Sequence, residues 1–303
     1  MNKIEIYEVG PRDGFQNIAA YIPLETKLAI IDGLITAGIS HLQITSFVSP
    51  KAVPQMKDAA ELARICLERY PEKDLLALVP NLRGAQTAWE SGIRHVSTVV
   101  SLSESHNRAN INRTHAESLT EIAKILETYP ELDVCLDLAT AFGCPFEGGK
   151  TEEDVVSFIK PYVEMGIRTV NLCDTIGIAN PAQIRRTIAA IRQSFPQLDQ
   201  MIHIHDTRNM GLVNTLAAIE AGVSNVQSTL GGLGGCPFAP GASGNLASED
   251  LVFMLQEMGY DLDIDVQKLI DLARDQARII PGGQYSGHLF RVEDPRNEHR
   301  KQH

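Results

Sequence analysis

The sequence predicts an α/β fold, a closed (β/α)8 TIM barrel with additional C-terminal helices, and three observations carry that prediction. Eight short β-rich runs can be counted along the 303 residues, amphipathic helical stretches separate them, and helices ending in glycine lead repeatedly into the next run. Eight is the number of parallel strands that closes such a barrel. Strands alternating with helices need crossover connections, and therefore a parallel sheet.

In order, the strand runs are Ile4–Val9, His41–Thr45, Leu75–Val79, His95–Val100, Val134–Leu138, Thr169–Leu172, Met201–His205 and Asn225–Ser228. Among the helices, "LETKLAIIDGLITAG" repeats Leu24, Leu28, Ile31 and Leu34–Ile35 at three- and four-residue spacing, and "TEEDVVSFIKPYVEMG" opens with an acidic first turn. The phrases "TAGISHLQI", "ESGIRHVSTV", "EMGIRTVNL" and "EAGVSNVQS" share one design, a turn at a helix C-terminus that feeds the next strand. A doubly wound open sheet is the alternative, but no Gly-rich phosphate fingerprint follows the first strand. Beyond Asp250, "LVFMLQEMGYDLDIDVQKLIDLARDQARII" reads as two more helices that cover a barrel end or a subunit contact. Residues 1–290 are expected to form a single catalytic domain, followed by a polar tail over 291–303.

Composition narrows the function. With 44% apolar residues the chain can bury one large core. A net charge of -11 with scattered Lys and Arg offers no footprint for nucleic acid or an anionic membrane. Five cysteines (Cys66, Cys135, Cys144, Cys173, Cys236) form no CxxC pair, and no leader or apolar run of the ~18 residues a span requires is evident. A soluble protein in a reducing cytoplasm is the expectation.

In a barrel of this kind the active site lies at the C-terminal ends of the strands. The polar residues there are Arg12 and Asp13 after strand one, Gln43 and Thr45 at strand two, Asp174 and Thr175 at strand six, and His203, His205 and Asp206 at strand seven. Alternate residues share a face, so His203 and His205 point into the lumen while Ile202 and Ile204 point away. A His-x-His pair alone also reads as hydrogen-bonded core histidines. Asp13, arriving from strand one, turns the reading toward a divalent cation, Mg²⁺, Mn²⁺ or Zn²⁺, to which Asn245 can add an amide oxygen. Asp206 faces the other way and reads as the cap of the following helix. The Gly-rich run after Thr229 reads, taken alone, as a turn with a passive cysteine; beside a metal it reads instead as a lid whose Cys236 is a general acid delivered on closure.

Seven motifs in order, "EVGPRDGFQN", "TSFVSPKAVPQM", "SLSESHNRANIN", "GCPFEG", "DTIGIANP", "HIHDT" and "GGLGGCPFAPGASGNLASEDLVFML", together resemble the 3-hydroxy-3-methylglutaryl-CoA lyase family over nearly the whole chain. The resemblance implies cleavage of hydroxymethylglutaryl-CoA to acetyl-CoA and acetoacetate. It implies a divalent cation held by Asp13, His203, His205 and Asn245, with Arg12 at the developing enolate oxygen, Cys236 in proton transfer, and functional positions at Asp174 and Glu249. Gln43 stands where the family commonly has glutamate. An amide there keeps the size but loses the charge, which leaves open a related aldolase or retro-Claisen lyase acting on a different 3-hydroxy acyl-CoA or hydroxy acid. A metal-binding or assembly protein without turnover is the third possibility, against which the intact Asp13, His203, His205 and Cys236 speak. A homodimer is expected.

Overall fold

The computed structural model describes residues 3–235 and 244–292. Eight parallel strands close into a barrel: β1 (Glu5–Glu8), β2 (His41–Ser46), β3 (Asp74–Leu78), β4 (His95–Ser101), β5 (Asp133–Ala139), β8 (Thr169–Asp174), β9 (Asp199–Ile204) and β10 (Asn225–Ser228), with β6 (Gly143–Cys144) and β7 (Gly148–Gly149) standing outside it. Around the ring the order is β1, β10, β9, β8, β5, β4, β3, β2, so the first strand pairs with both the second and the last. All eight runs expected from the sequence are strands, with ends that differ by one or two residues. Met201–His205 is the instructive case: β9 stops at Ile204, and His205 continues as an isolated antiparallel bridge to Asn245.

The helices wrap the barrel in the expected alternation, α1 (Leu24–Thr36), α2 (Ala59–Arg69), α3 (Leu82–Glu90), α4 (Glu104–Ile111), α5 (His115–Thr128), α6 (Glu152–Glu164), α7 (Pro181–Ser194) and α8 (Gly211–Glu220). Their starts are written locally. Thr114 and Thr151 each form a reciprocal capping box, with Glu117 and Asp154, which satisfies orphan amides at the heads of α5 and α6. Asp206 accepts the amide of Gly211 at 2.7 Å and so fastens the head of α8, as its parity in the strand predicts. At the other ends, Gly38 closes α1 at φ +106°, where an added Cβ would lie 2.1 Å from the Asp263 carbonyl oxygen. Gly92, Gly166 and Gly222 repeat the same left-handed turn after α3, α6 and α8.

Two features go beyond the sequence reading. The run "GCPFEGG" makes a small antiparallel hairpin, β6 (Gly143–Cys144) with β7 (Gly148–Gly149), above β5. Helix α4 is an extra turn of chain between β4 and α5. The two expected C-terminal helices are α9 (Ser248–Glu257) and α10 (Val266–Ile279), which pack on each other, with α10 also against α1. Residues that face outward from the strands, such as Ile202, Ile204, Val170 and Leu172, are fully buried between sheet and helices. No helix among the described residues is long and apolar enough to cross a membrane.

Candidate metal centre and active site

The site begins with a break in regular structure. After β1 the chain makes a single π-turn over Gly10–Gly14, in which the amides of Arg12 and Asp13 both point back to the Val9 carbonyl, at 3.1 and 2.7 Å. Consecutive side chains, one cationic and one anionic, are thereby turned over the C-terminal mouth of the barrel. The turn is anchored from beneath by Glu8, a fully buried carboxyl that accepts the amides of Gly10 (2.8 Å) and Leu230 (2.9 Å) and the hydroxyl of Ser248. Burial pushes Glu8 up to about 7.

Asp13, His203 and His205 converge, each presenting one ligand atom, all within 4.8 Å of one another. Burial alone would raise the Asp13 carboxyl, but Arg12 and the two imidazoles outweigh it and hold it below its ordinary value. Burial pushes His203 down to about 4, with His205 adding to the effect, and lowers His205 as well. Both rings are therefore neutral near pH 7, the form in which imidazole binds metals. His203 Nδ1 is held by Gln227 Oε1 at 2.9 Å, which leaves Nε2 as the nitrogen available to an ion. His205 keeps a backbone hydrogen bond with Thr175, yet its Nδ1 is buried and has no partner. Asn245 donates to Asp13 Oδ2 at 2.7 Å while its Oδ1 is also buried and unpartnered. Two orphaned acceptors beside a carboxylate and an imidazole are what a cation-shaped gap leaves in the hydrogen-bond ledger, so the residues fit a divalent ion.

Arg12 is locked in place. Its Nε donates to Gln43 Oε1 and its Nη1 to Asp13 Oδ1 at 2.6 Å, and Gln43 Nε2 donates in turn to Ser97 Oγ at 2.8 Å. Beside these groups lies a cavity of about 780 Å³ whose wall includes Arg12, Asp13, Asp137, Asn171, His203 and His205. Arg113 also reaches this wall.

Other residues singled out from the sequence lie elsewhere. Asp174 follows the parity of β8 away from the lumen, and its carboxylate accepts the amides of Ile178 and Ala179, both at 3.0 Å, which shapes the loop after β8. Glu249, in the first turn of α9, is fully buried and accepts the Gly231 amide at 2.9 Å, with burial and then Asp250 pushing it up to about 8. It holds the root of the Gly-rich run rather than the cavity wall. Cys236 lies outside the described residues, although Gly235 before it lines the cavity. Four residues on the wall or beneath it escaped the sequence reading: Ser97, Asp137, Asn171 and Gln227. Strand parity held the signal, since each shares the inward face of its strand, but the sequence reading took polar residues only from strands one, two, six and seven and did not apply parity along the others.

A family model described as HMGL-like matches residues 3–275. The chain belongs to the HMGL-like family. Within it, this HMGL-like chain is 40% identical to a hydroxymethylglutaryl-CoA lyase of Bacillus subtilis over 90% of its own length and 91% of the relative's. It is 39% identical to an (R)-citramalyl-CoA lyase of Chloroflexus aurantiacus, covering 89% of each. Among solved structures, an HMG-CoA lyase from Acinetobacter baumannii in complex with coenzyme A and 3-methylmalate superposes with a TM-score of 0.90 at 38% identity, over 97% of this chain and 96% of that one.

Proposed function

We infer that this chain is a divalent-metal-dependent carbon–carbon lyase that cleaves hydroxymethylglutaryl-CoA to acetyl-CoA and acetoacetate. The observation that carries the reading is the Asp13–His203–His205 cluster beside a fixed guanidinium, in a chain with lyase relatives along nine-tenths of its length. Asp13, His203, His205 and Asn245 would hold the ion through two imidazole nitrogens and two side-chain oxygens, a mixed set that suits Mg²⁺ or Mn²⁺ and also admits Zn²⁺. When bound, the ion supplies Lewis acidity that lowers the pKa of the substrate hydroxyl.

The chain's own residues account for the remaining steps. Arg12 Nε and Nη1 are engaged by Gln43 and Asp13, so its Nη2 hydrogens remain for the thioester oxygen on which charge develops. Because those two bonds fix the guanidinium beforehand, little reorganisation is needed as the bond breaks. Asp174 and Glu249 act by fixing the loops after β8 and β10. Cys236, next in the chain after the cavity-lining Gly235, delivers the proton that completes acetyl-CoA. Residues 1–290 form the single catalytic domain.

The citramalyl-CoA lyase relative and the neutral Gln43 favour a second reading, the same bond cleavage on a different 3-hydroxy acyl-CoA. A reducing cytoplasmic setting fits the four free thiols Cys66, Cys135, Cys144 and Cys173. A homodimer joined through the C-terminal helices fits the exposed Met258 and Ile279. The test is direct: protein, Mg²⁺ or Mn²⁺, a thiol reductant and each thioester, with product ketone measured. Acetoacetate release that a chelator abolishes supports the first reading; pyruvate from citramalyl-CoA alone supports the second.

A further inference from the structure

The floor of the cavity holds a carboxylate with no role so far. Asp137, on β5, is 5% exposed and lines the cavity. Its Oδ1 accepts from Asn171 Nδ2 at 2.8 Å, and the Ser97 side chain hydrogen-bonds to it as well. Gln43 Nε2 can only donate, so Ser97 Oγ accepts there and its single proton is free to point at Asp137. A chain of hydrogen bonds thus crosses the floor from Arg12 through Gln43 and Ser97 to Asp137.

Cleavage of a 3-hydroxyacyl thioester needs a group to take the hydroxyl proton. Among the described residues the cavity wall carries two carboxylates, Asp13 and Asp137. Asp13 already accepts from Arg12, Gln16 and Asn245 and belongs with His203 and His205 to the ion-binding set. Burial pushes His106, the other imidazole on the wall, down to about 4, which makes it a weak base. Asp137 differs from all of these. A carboxylate offers about four lone-pair positions, two of which Asn171 and Ser97 occupy, so acceptor capacity remains toward the cavity.

We propose that Asp137 is the general base of the reaction, accepting the hydroxyl proton of the 3-hydroxyacyl thioester as its carbon–carbon bond breaks. The assignment rests on the lyase reading and deepens it. The O–H electron pair becomes the second bond of the leaving ketone, and the carbon–carbon pair moves into the thioester as its enolate. The proton goes to Asp137, and a proton returned to the α-carbon completes the acyl-CoA product; no net oxidation occurs. Asn171 and Ser97 aim the carboxylate. Burial raises Asp137 above an ordinary aspartate, while the charge of Arg12 opposes that shift and favours the ionised form a base must have.

Asp137→Asn tests the assignment, since the amide keeps the size and an acceptor for Asn171 but cannot take a proton. The expected result is a loss of kcat of about 100-fold or more, the usual contribution of a general base. KM, Mn²⁺ affinity by calorimetry and melting temperature should stay near wild type. Asp137→Glu should recover at least part of the loss. The double variant Gln43→Glu with Asp137→Asn moves the carboxylate to the other side of Ser97 Oγ and should exceed Asp137→Asn alone. Asp137→Asn with kcat close to wild type would overturn the proposal, and so would an equal loss of Mn²⁺ affinity and kcat, which would make the residue a support for the ion. Should Asp137→Asn fail to fold, the other two variants decide, and folded but inactive proteins in both would refute it. A wild type inert toward both thioesters would end the lyase reading together with this one, whereas an active wild type and an unimpaired Asp137→Asn ends this one alone.

Discussion

Gln227 offers the sharpest test of the candidate metal centre because its amide oxygen fixes one ring of the cluster, that of His203. Its Oε1 accepts from His203 Nδ1 at 2.9 Å, with both residues under one-tenth exposed. Gln227→Leu removes the acceptor, leaves a buried N–H unsatisfied and frees the ring to rotate or to place its proton on Nε2, where the ion would bind. An unsatisfied buried donor costs about 1–3 kcal/mol. Loss of such an outer partner lowers metal affinity by about 10–100-fold, and at 1.36 kcal/mol per decade that is about 1.4–2.7 kcal/mol, in agreement with the hydrogen-bond figure. Titration calorimetry with Mn²⁺ reads the affinity, and turnover against Mn²⁺ concentration should show the same displacement with kcat largely regained at saturation. Gln227→Glu should bind the ion at least as well as wild type, since a carboxylate holds Nδ1–H more firmly. Affinity of the Leu variant within twofold of wild type would refute the reasoning and remove His203 Nε2 from the ligand set.

Arg12→Lys keeps the charge but loses the fork that engages Gln43 and Asp13 together; kcat should fall about 100- to 1,000-fold, as for loss of one oxyanion donor, with a smaller change in KM in steady-state assays. Glu8 and Glu249 bind protons more tightly folded than unfolded, so their contribution to stability is complete below about pH 4.5 and is lost as pH rises through about 7 and 8. Urea midpoints should therefore fall between pH 5 and 8, with a slope of at most about 1.4 kcal/mol per pH unit per group, and Glu249→Gln should flatten that fall. Gly38→Ala should destabilise the fold by about 1 kcal/mol or more, read as a lower urea midpoint, because the position combines φ +106° with a backbone oxygen in the space of the new methyl.

The barrel was legible because its strands are short and its helices end in glycine at the same relative place, so the period repeats through "TAGI", "ESGI", "EMGI" and "EAGV". His203 and His205 were legible for a related reason: a two-residue repeat within a strand fixes a shared direction before any contact is known. The same rule, applied to β8, would have turned Asp174 outward, and applied to β5 it would have brought Asp137 inward. Asp174 was named for its place at a strand end and by the resemblance, and Asp137 was not named, because parity was applied to strand seven alone. The resemblance named Glu249, but its contact, like the whole of Glu8's part, was beyond reach, since what they do depends on amides at Gly231, Gly10 and Leu230 that only the folded chain brings near. The π-turn that aims Arg12 and Asp13 leaves no periodic trace in five residues.

The contacts that complete the pocket join the extremes of the barrel: Glu8 with Ser248, and Asp13 with Asn245, more than two hundred positions apart. A growing polypeptide released from its N-terminus lacks those partners until almost all of it has emerged. The Asp13–Asn245 contact beside the histidine pair is therefore a property of the finished ring, and fragments that end before β10 should fold in part, if at all, without gaining it.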